Sequence, residues 1–430
     1  MSTHISFTHP RDEILETMER IYDYRMTTTS GGNLSIRDEN GDVWITPARV
    51  DKGSLRREDI VRVGRDGTVD GLHPPSSELP LHQAVYQARP DIRGIVHAHP
   101  VALVAFSLVH DVPNTRLFHK ARTVCGEVGF APYELPGSEA LARNVEGTFR
   151  QGYYCVILEN HGVVTGGGSL QEAFHRFETL EFTGKTIIKA RQIGNVRYLT
   201  DHEIALPAQR AARLPELERG VPSSLEKELR RRLCEFVRRA YRQRLFISTQ
   251  GSFSVRLDES SLLITPFHVD RGRLDAQDLV LVSNGKSEAG KLPSWATGNH
   301  EAVYRQHPEV HAIINAYPVN ATAFSVTGVS LDTRTIPESY IVVRQVRQVR
   351  YGVQFQDSEA LAQQVSPRQP AAILENDGVL VTGSDILEAY DRLEVLESTA
   401  EALINCRAIG TLAPMSDEVT RQLEKAFLKM

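Results

Sequence analysis

The segment "GGNLSIRDENGDVWITPARVDKGSLRREDIVRV", residues 31–63, returns as "QGSFSVRLDESSLLITPFHVDRGRLDAQDLVLV", residues 250–282. Two more stretches do the same. "HQAVYQARPDIRGIVHAHPVALVAFSL" reappears as "HEAVYRQHPEVHAIINAYPVNATAFSV", and "VILENHGVVTGGGSLQEAFHRFETLE" as "AILENDGVLVTGSDILEAYDRLEVLE". The offset stays between 216 and 220 residues throughout, so one ancestral domain has been duplicated with small changes in its loops. A chain built this way folds as two like domains, and its 430 residues suit two cores of roughly 200 residues each. Residues 1–202 are expected to form the first and 226–430 the second. Between them, 203–225 hold three prolines among polar and small residues, the composition of a linker.

Both halves run in the same order. A leading helix ("DEILETMERIYDYRM"; "EKELRRRLCEFVRRAYRQRL") precedes short strands separated by Gly, Asp and Asn turns. A helix ("ELPLHQAVYQARP") and a strand with two histidines follow, then a connecting stretch and a short helix ("SEALARNVEGTF"). A strand, "CVILENHG", and a long amphipathic helix close the domain. Helices and strands mix without the regular β-α alternation of a Rossmann domain or barrel.

Composition narrows the class. With 41% apolar and 24% charged residues the chain reads as an ordinary soluble globular protein. A net charge of −5 argues against general nucleic-acid binding and leaves room for a local basic pocket. The cysteines, Cys125, Cys155, Cys234 and Cys406, have no paired spacing, which suits reduced thiols in a cytoplasm. The start "MSTHISFTHPRDEILETMER" lacks a basic stretch followed by an apolar one, and no apolar run of about 18 residues occurs. The expectation is a cytoplasmic protein with no membrane partner.

Within "GIVHAHPVALVAFS", residues 94–107, His97 and His99 interrupt an apolar strand. Alternate residues of a strand share a face, so the two imidazoles point the same way, either as a ligand pair or as hydrogen-bonded core histidines. The second half serves as an internal control. Where the first half has Glu78, His97, His99 and His161, the second has Ala296, Asn315, Tyr317 and Asp377, within a preserved frame. A shared metal explains their joint loss, because losing one ligand releases the others. Three imidazoles, an open position and a nearby carboxylate match a catalytic zinc or similar ion more than a closed structural site.

The first half resembles the class II aldolase/adducin family, on "SGGNLS", "PPSSEL", "HAHP" and "ENHG", in family order and across nearly the whole half. The second half resembles it in frame only. The resemblance implies two tandem three-layer αβα domains, each with a central, largely antiparallel sheet. It implies that His97, His99 and His161 bind one divalent ion per chain, zinc by default with manganese or cobalt as alternatives, and that Glu78 is the acid/base group. A helix-opening acid favoured by the helix dipole is the simpler reading of Glu78. The family's anion pocket falls on Asn33, Thr46, Ser76 and Ser77. Thr46 and Ser76 are kept as Thr265 and Ser294, as turn-building residues would be; Asn33 and Ser77 become Ser252 and Trp295.

The activity implied is cleavage of a carbon–carbon bond in a small anionic hydroxy-carbonyl compound, such as a sugar phosphate, through a metal-stabilised enediolate. Decarboxylation, dehydration or epimerisation on the same scaffold, or an adducin-like scaffold without catalysis, are the alternatives. Family aldolases place a tyrosine proton donor, contributed across a subunit interface, in the stretch after His-x-His. Here "NTRLFHKARTVCGEVGFAPYEL" has Phe118 and His119 near that place, which makes His119 the candidate second catalytic residue, an exposed basic loop being the alternative. Family members assemble as tetramers with sites between subunits. A duplicated chain would mimic two of those subunits, so the expected assembly is a homodimer with pseudo-fourfold symmetry.

Overall fold

The computed structural model describes residues 9–209, 213–218 and 220–428. The chain divides into two compact units: residues 1–115 with 120–184, and residues 116–119 with 185–430.

The sheet of the first unit has eight strands: β1 (Asn33–Arg37), β2 (Val43–Ile45), β3 (Val61–Val63), β4 (Val69–Asp70), β5 (Gly94–Ala98), β6 (Val128–Ala131), β7 (Cys155–Leu158) and β8 (Gly162–Gly167). They lie in the order β4-β3-β2-β1-β5-β8-β7-β6. Every pairing is antiparallel except β6 with β7. The helices are α1 (Pro10–Asp23), α2 (Leu79–Ala88), α3 (Val101–Leu108), α4 (His119–Cys125), α5 (Glu139–Arg150) and α6 (Leu170–Arg191), with the first residue of α4 and the end of α6 grouped with the second unit.

Period-2 alternation sorts the strands into two cores. Val96 and Ala98 of β5, with Cys155 and Ile157 of β7, pack under α1, α3 and α6. Ile95, Val156, Leu158 and Val164 pack under α2 and α5. That is the three-layer αβα arrangement. The helices carry local signals for it: α1 opens on a His9 cap, with Pro10 in its first turn and Asp12 and Glu13 facing the dipole. Its buried Ile14, Met18 and Ile21 form one stripe.

The second unit repeats the sheet strand for strand: β10 (Ser252–Arg256), β11 (Ser261–Ile264), β12 (Val280–Ser283), β13 (Lys286–Glu288), β14 (Ala312–Ala316), β15 (Arg347–Val349), β16 (Ala371–Leu374) and β17 (Gly378–Gly383). One extra strand, β9 (Glu216–Leu217), pairs parallel with β13 at the edge, giving the order β15-β16-β17-β14-β10-β11-β12-β13-β9. Register is kept as well. Asn33 faces His97 across β1 and β5, and Ser252 faces Asn315 across β10 and β14. The 203–225 stretch thus carries β9 and the end of the short helix Asp201–Ala205. Among the described residues no helix is long and apolar enough to cross a membrane.

Candidate metal centre

β5 lies in the middle of the sheet with β1 and β8 on either side, so a side chain near its end is held by rigid neighbours. His97 is completely buried. Its Nδ1 donates to the Val163 carbonyl on β8 at 3.0 Å. A carbonyl only accepts, so Nδ1 carries the proton and Nε2 is left for the centre. His99, two residues on, points the same way, its Nε2 3.2 Å from that of His97. His161 enters from the turn between β7 and β8, which Asn160 makes with a positive φ of 53°. The three ring centroids are mutually 4.9 Å apart, and one ligand atom from each ring lies within 4.8 Å of the others. Gly162 makes room for this approach: a Cβ there would lie 2.6 Å from the His99 ring and 2.7 Å from the Ala98 carbonyl.

Glu78 caps α2 and is almost fully buried, with its Oε2 3.0 Å from His97 Nε2 and its Oε1 3.7 Å from His161 Nε2. A hydrogen-bonded chain holds it. The Asn33 amide donates to Glu78 Oε2 at 2.8 Å, which leaves Asn33 Oδ1 to accept from His82 Nε2 at 2.5 Å. His82 Nδ1 then accepts from the Ser35 hydroxyl at 2.6 Å, and Ser35 accepts from Tyr86 at 2.7 Å. Every proton in this relay has a determined direction. Burial, then the charge of His97, lowers His82 to about 3, so it stays neutral as the relay requires.

The electrostatics of the centre follow from crowding. Burial, the largest influence on the Glu78 carboxyl, pushes it up. The charge and hydrogen bond of His97, the Asn33 amide and the charge of His161 outweigh it and hold the carboxyl well below the usual carboxylate range. Burial pulls His97 down, while the Glu78 charge and hydrogen bond more than restore it, leaving His97 above the ordinary imidazole value. Burial, then the charges of His97 and His161, lowers His99 to about 3; burial and His97 lower His161 to about 4. Without a metal, one proton on His97 is the cation this cluster tolerates. Two buried atoms, Glu78 Oε1 and His161 Nδ1, have no hydrogen-bond partner. Two Nε2 atoms in contact, a third imidazole within ligand distance and an orphaned carboxylate oxygen beside His161 fit a divalent ion, and a set of three imidazoles is a donor set that zinc accepts.

The second unit shows how the same frame closes without such a centre. His300 keeps its hydrogen bond to Ser254, which keeps Tyr304, both at 2.7 Å. Asn315, in the place of His97, accepts from His300 at 2.8 Å. Tyr317 donates to Asp377 at 2.8 Å, and Gln354 reaches the other oxygen at 3.3 Å. The positions of His99 and His161 thus satisfy each other directly.

Thr46 and Ser76 do identical work in both halves. Thr46 Oγ1 accepts the Leu34 N–H at 3.2 Å, its carbonyl accepts the Ser76 N–H at 3.1 Å, and Ser76 Oγ accepts the Glu78 N–H at 3.3 Å. Thr265 and Ser294 repeat all three bonds at 3.2, 3.0 and 3.3 Å. Ser77 is exposed next to Glu78. His119 belongs to the short segment grouped with the second unit, where it is buried edge-on against Phe355 at 5.2 Å.

The sequence profile of the "Class II Aldolase and Adducin N-terminal domain" family matches residues 12–188 and again residues 231–404. This chain belongs to that family. The L-fuculose phosphate aldolase of Methanococcus maripaludis (strain S2) is 34% identical over 169 residues, 39% of this chain and 91% of the relative. The 5-deoxy-D-ribulose 1-phosphate aldolase of Bacillus thuringiensis serovar kurstaki is 32% identical over 198 residues, 45% and 91%. The 3-oxo-tetronate 4-phosphate decarboxylase of Haemophilus influenzae is 32% identical over 189 residues, 43% and 88%. Class II aldolase family membership with such relatives supports an enzyme of the lyase type.

Asn33 is the residue whose removal separates holding Glu78 from binding substrate. Asn33→Ser, which installs the residue of the second half, removes a hydrogen bond that lowers the Glu78 pKa. The carboxylate form is lost as pH falls through that pKa, so raising it moves the acidic limb of the kcat/KM profile to higher pH. A drop in kcat of about 10- to 100-fold, the size of losses from outer-shell partners, is expected with it. A pH-rate profile checks this, and an unmoved limb would assign Asn33 to substrate contact instead.

Proposed function

We propose that the chain is a divalent-metal-dependent lyase of the class II aldolase type, cleaving a carbon–carbon bond in a small hydroxy-carbonyl compound that carries a phosphate or similar anion. The observation that carries this reading is the convergence of His97, His99 and His161 on Glu78, with all four replaced together in the second half. The three imidazoles would hold the ion, with zinc favoured and manganese or cobalt admissible. Bound there, it supplies Lewis-acid polarisation of the substrate carbonyl. Glu78 moves the proton at the reacting carbon, fixed by Asn33 and kept ionised by its neighbours. Ser77 is the best-placed anion contact of the four candidates, being exposed and lacking a hydrogen bond among the described residues; Thr46 and Ser76 shape the turn that presents it, and Asn33 serves Glu78.

Decarboxylation is the second reading, and one observation favours it. A retro-aldol cleavage needs two proton movements: the hydroxyl beside the breaking bond gives one up, and the carbon left behind takes one. Loss of carbon dioxide needs only the second. Within the first unit Glu78 is the carboxylate in reach of His97 and His161, and one such group suffices for that second movement. The test pairs elemental analysis of the purified protein with assays for aldehyde and carbon dioxide release. L-fuculose 1-phosphate, 5-deoxy-D-ribulose 1-phosphate and 3-oxo-tetronate 4-phosphate are the first substrates, taken from the relatives' names. About one divalent ion per chain and chelator-sensitive turnover are expected. A protein that takes up neither zinc nor manganese would be a binding scaffold instead.

A further inference from the structure

The second half lacks the three histidines of the centre and carries a cavity of its own. It has a volume of about 450 Å³ and lies beside the start of the helix Thr297–Gln306, with Phe267, Trp295, Glu301, Phe355 and Arg213 on its walls. That size suits a small molecule. The repeat serves as a control here too, because these walls are not part of the shared frame. Where the second half has Phe267, Trp295 and Phe355, the first has Ala48, Ser77 and Leu135; where it has Glu301, the first has Gln83. Arg213 comes from the stretch between the two repeats. Three aromatic rings and an acid thus meet at one cavity, in the half without the histidines.

The walls are fixed by contacts of their own. Phe267 lies flat against Trp295, with ring centroids 4.8 Å apart and planes 10° from parallel, and His268 stacks on Phe267 at 5.5 Å. The indole held in this way is still 43% exposed. The Asn299 amide, also on the cavity, donates to the Gln354 carbonyl at 3.0 Å and accepts from the Ser358 hydroxyl at 2.7 Å, so this polar part of the wall is satisfied internally. Glu301 is not. It is half-buried, and burial, outweighing the charge of Arg305, raises its pKa. Arg305 itself pairs with Glu359, and Glu301 makes no hydrogen bond or ion pair among the described residues. Arg213 is exposed and likewise makes no ion pair among them.

Each open group selects a chemistry. A flat indole receives a flat ring. A carboxylate is best satisfied by two parallel N–H donors, and a guanidinium receives an anion such as phosphate. Guanine presents a ring N–H and an amino group side by side on one edge. Adenine and cytosine set their amino group beside an acceptor, and uracil offers a single N–H on that edge. We propose that the second-half cavity binds a guanine mononucleotide, with the base against Trp295, its donor edge on Glu301 and its phosphate toward Arg213. The duplicated half then serves as a ligand-binding domain, at a site separate from the metal centre.

Calorimetric titration of the full chain with guanosine monophosphate tests this. It involves no turnover, so its outcome is independent of the lyase reading. Saturable binding is expected, with adenosine monophosphate at least about tenfold weaker. Trp295→Ser and Glu301→Gln replace an uncovered side chain with the first half's shorter or neutral one, in the second case residue for residue in shape, and circular dichroism should stay native. Trp295→Ser should weaken binding by about 10- to 100-fold, the effect of one base–aromatic stack. Glu301→Gln exchanges an acceptor for a donor and should weaken it by about tenfold or more. Arg213→Ala should weaken the nucleotide by about two- to fivefold and leave guanosine, which has no phosphate, unchanged. His97→Ala should keep the full nucleotide affinity. No saturable binding, equal affinity for adenosine monophosphate, or affinity indifferent to Trp295→Ser and Glu301→Gln would overturn the proposal. So would affinity lost in His97→Ala, which would place the phosphate on the metal centre.

Discussion

His97→Ala should abolish metal binding in the whole chain, and Asn315→Ala should leave it untouched. His97 is the hinge of the centre: fully buried, with its tautomer fixed by Val163 and its Nε2 in reach of both His99 and Glu78. Removing it leaves two imidazoles, fewer protein ligands than a zinc site ordinarily uses. Bound metal is expected to fall from about one ion per chain to none, and kcat/KM by about 10³-fold or more, the several kcal/mol that Lewis-acid polarisation supplies. Thermal unfolding gives a second readout. An ion at a hundredfold excess over its Kd stabilises the native state by about 2.7 kcal/mol, so chelator should lower the Tm of the wild type and leave that of His97→Ala unchanged. Asn315→Ala deprives His300 of an acceptor and should cost about 1 kcal/mol in stability with full metal content. Metal retained by His97→Ala would mean that the three imidazoles are not the site.

The histidines and Glu78 were legible in the sequence for a physical reason. A strand puts alternate residues on one face, and the second half records what the frame looks like when all four residues are replaced together. The same comparison is blind to whatever both halves keep. His82, Ser35 and Tyr86 persist as His300, Ser254 and Tyr304 with the same hydrogen bonds, so nothing singled them out, although they anchor the relay that ends on Glu78. Their preservation was itself a signal, of architecture rather than chemistry. Asn33 was expected in an anion pocket; its amide hydrogen-bonds Glu78 and His82, a consequence of its register opposite His97 that no local pattern reveals.

The division of the chain was legible only in outline. Duplication announced two domains, while the grouping of residues 116–119 and 185–199 with the second unit depends on bonds such as Leu117 to Asn376, 259 positions apart in sequence. Strand β9 is another example, two residues made a strand by pairing with β13 in a stretch whose composition reads as linker. Both are tertiary effects overriding a local signal.

Glu78→Gln should keep the metal and lose the reaction. Glutamine preserves the shape of the side chain and an oxygen that can still accept from the Asn33 amide, so the turn into α2 and the relay behind it remain. What disappears is the ability to take and return a proton at the reacting carbon. A general acid/base group contributes about 10² to 10⁴ in rate, and that loss should fall on kcat with KM little changed, because the interaction removed is made in the transition state. The alternative role makes the opposite forecast. Glu78 Oε1 is buried without a hydrogen bond and lies on the His161 side of the centre, where it could serve as a fourth ligand. Were that its function, Glu78→Gln would weaken metal binding, and added zinc would restore turnover. Full metal content with turnover that no excess of zinc restores is the result expected here, because the bonds that hold Glu78 run through Asn33 and His82 to Tyr86, away from His97, His99 and His161.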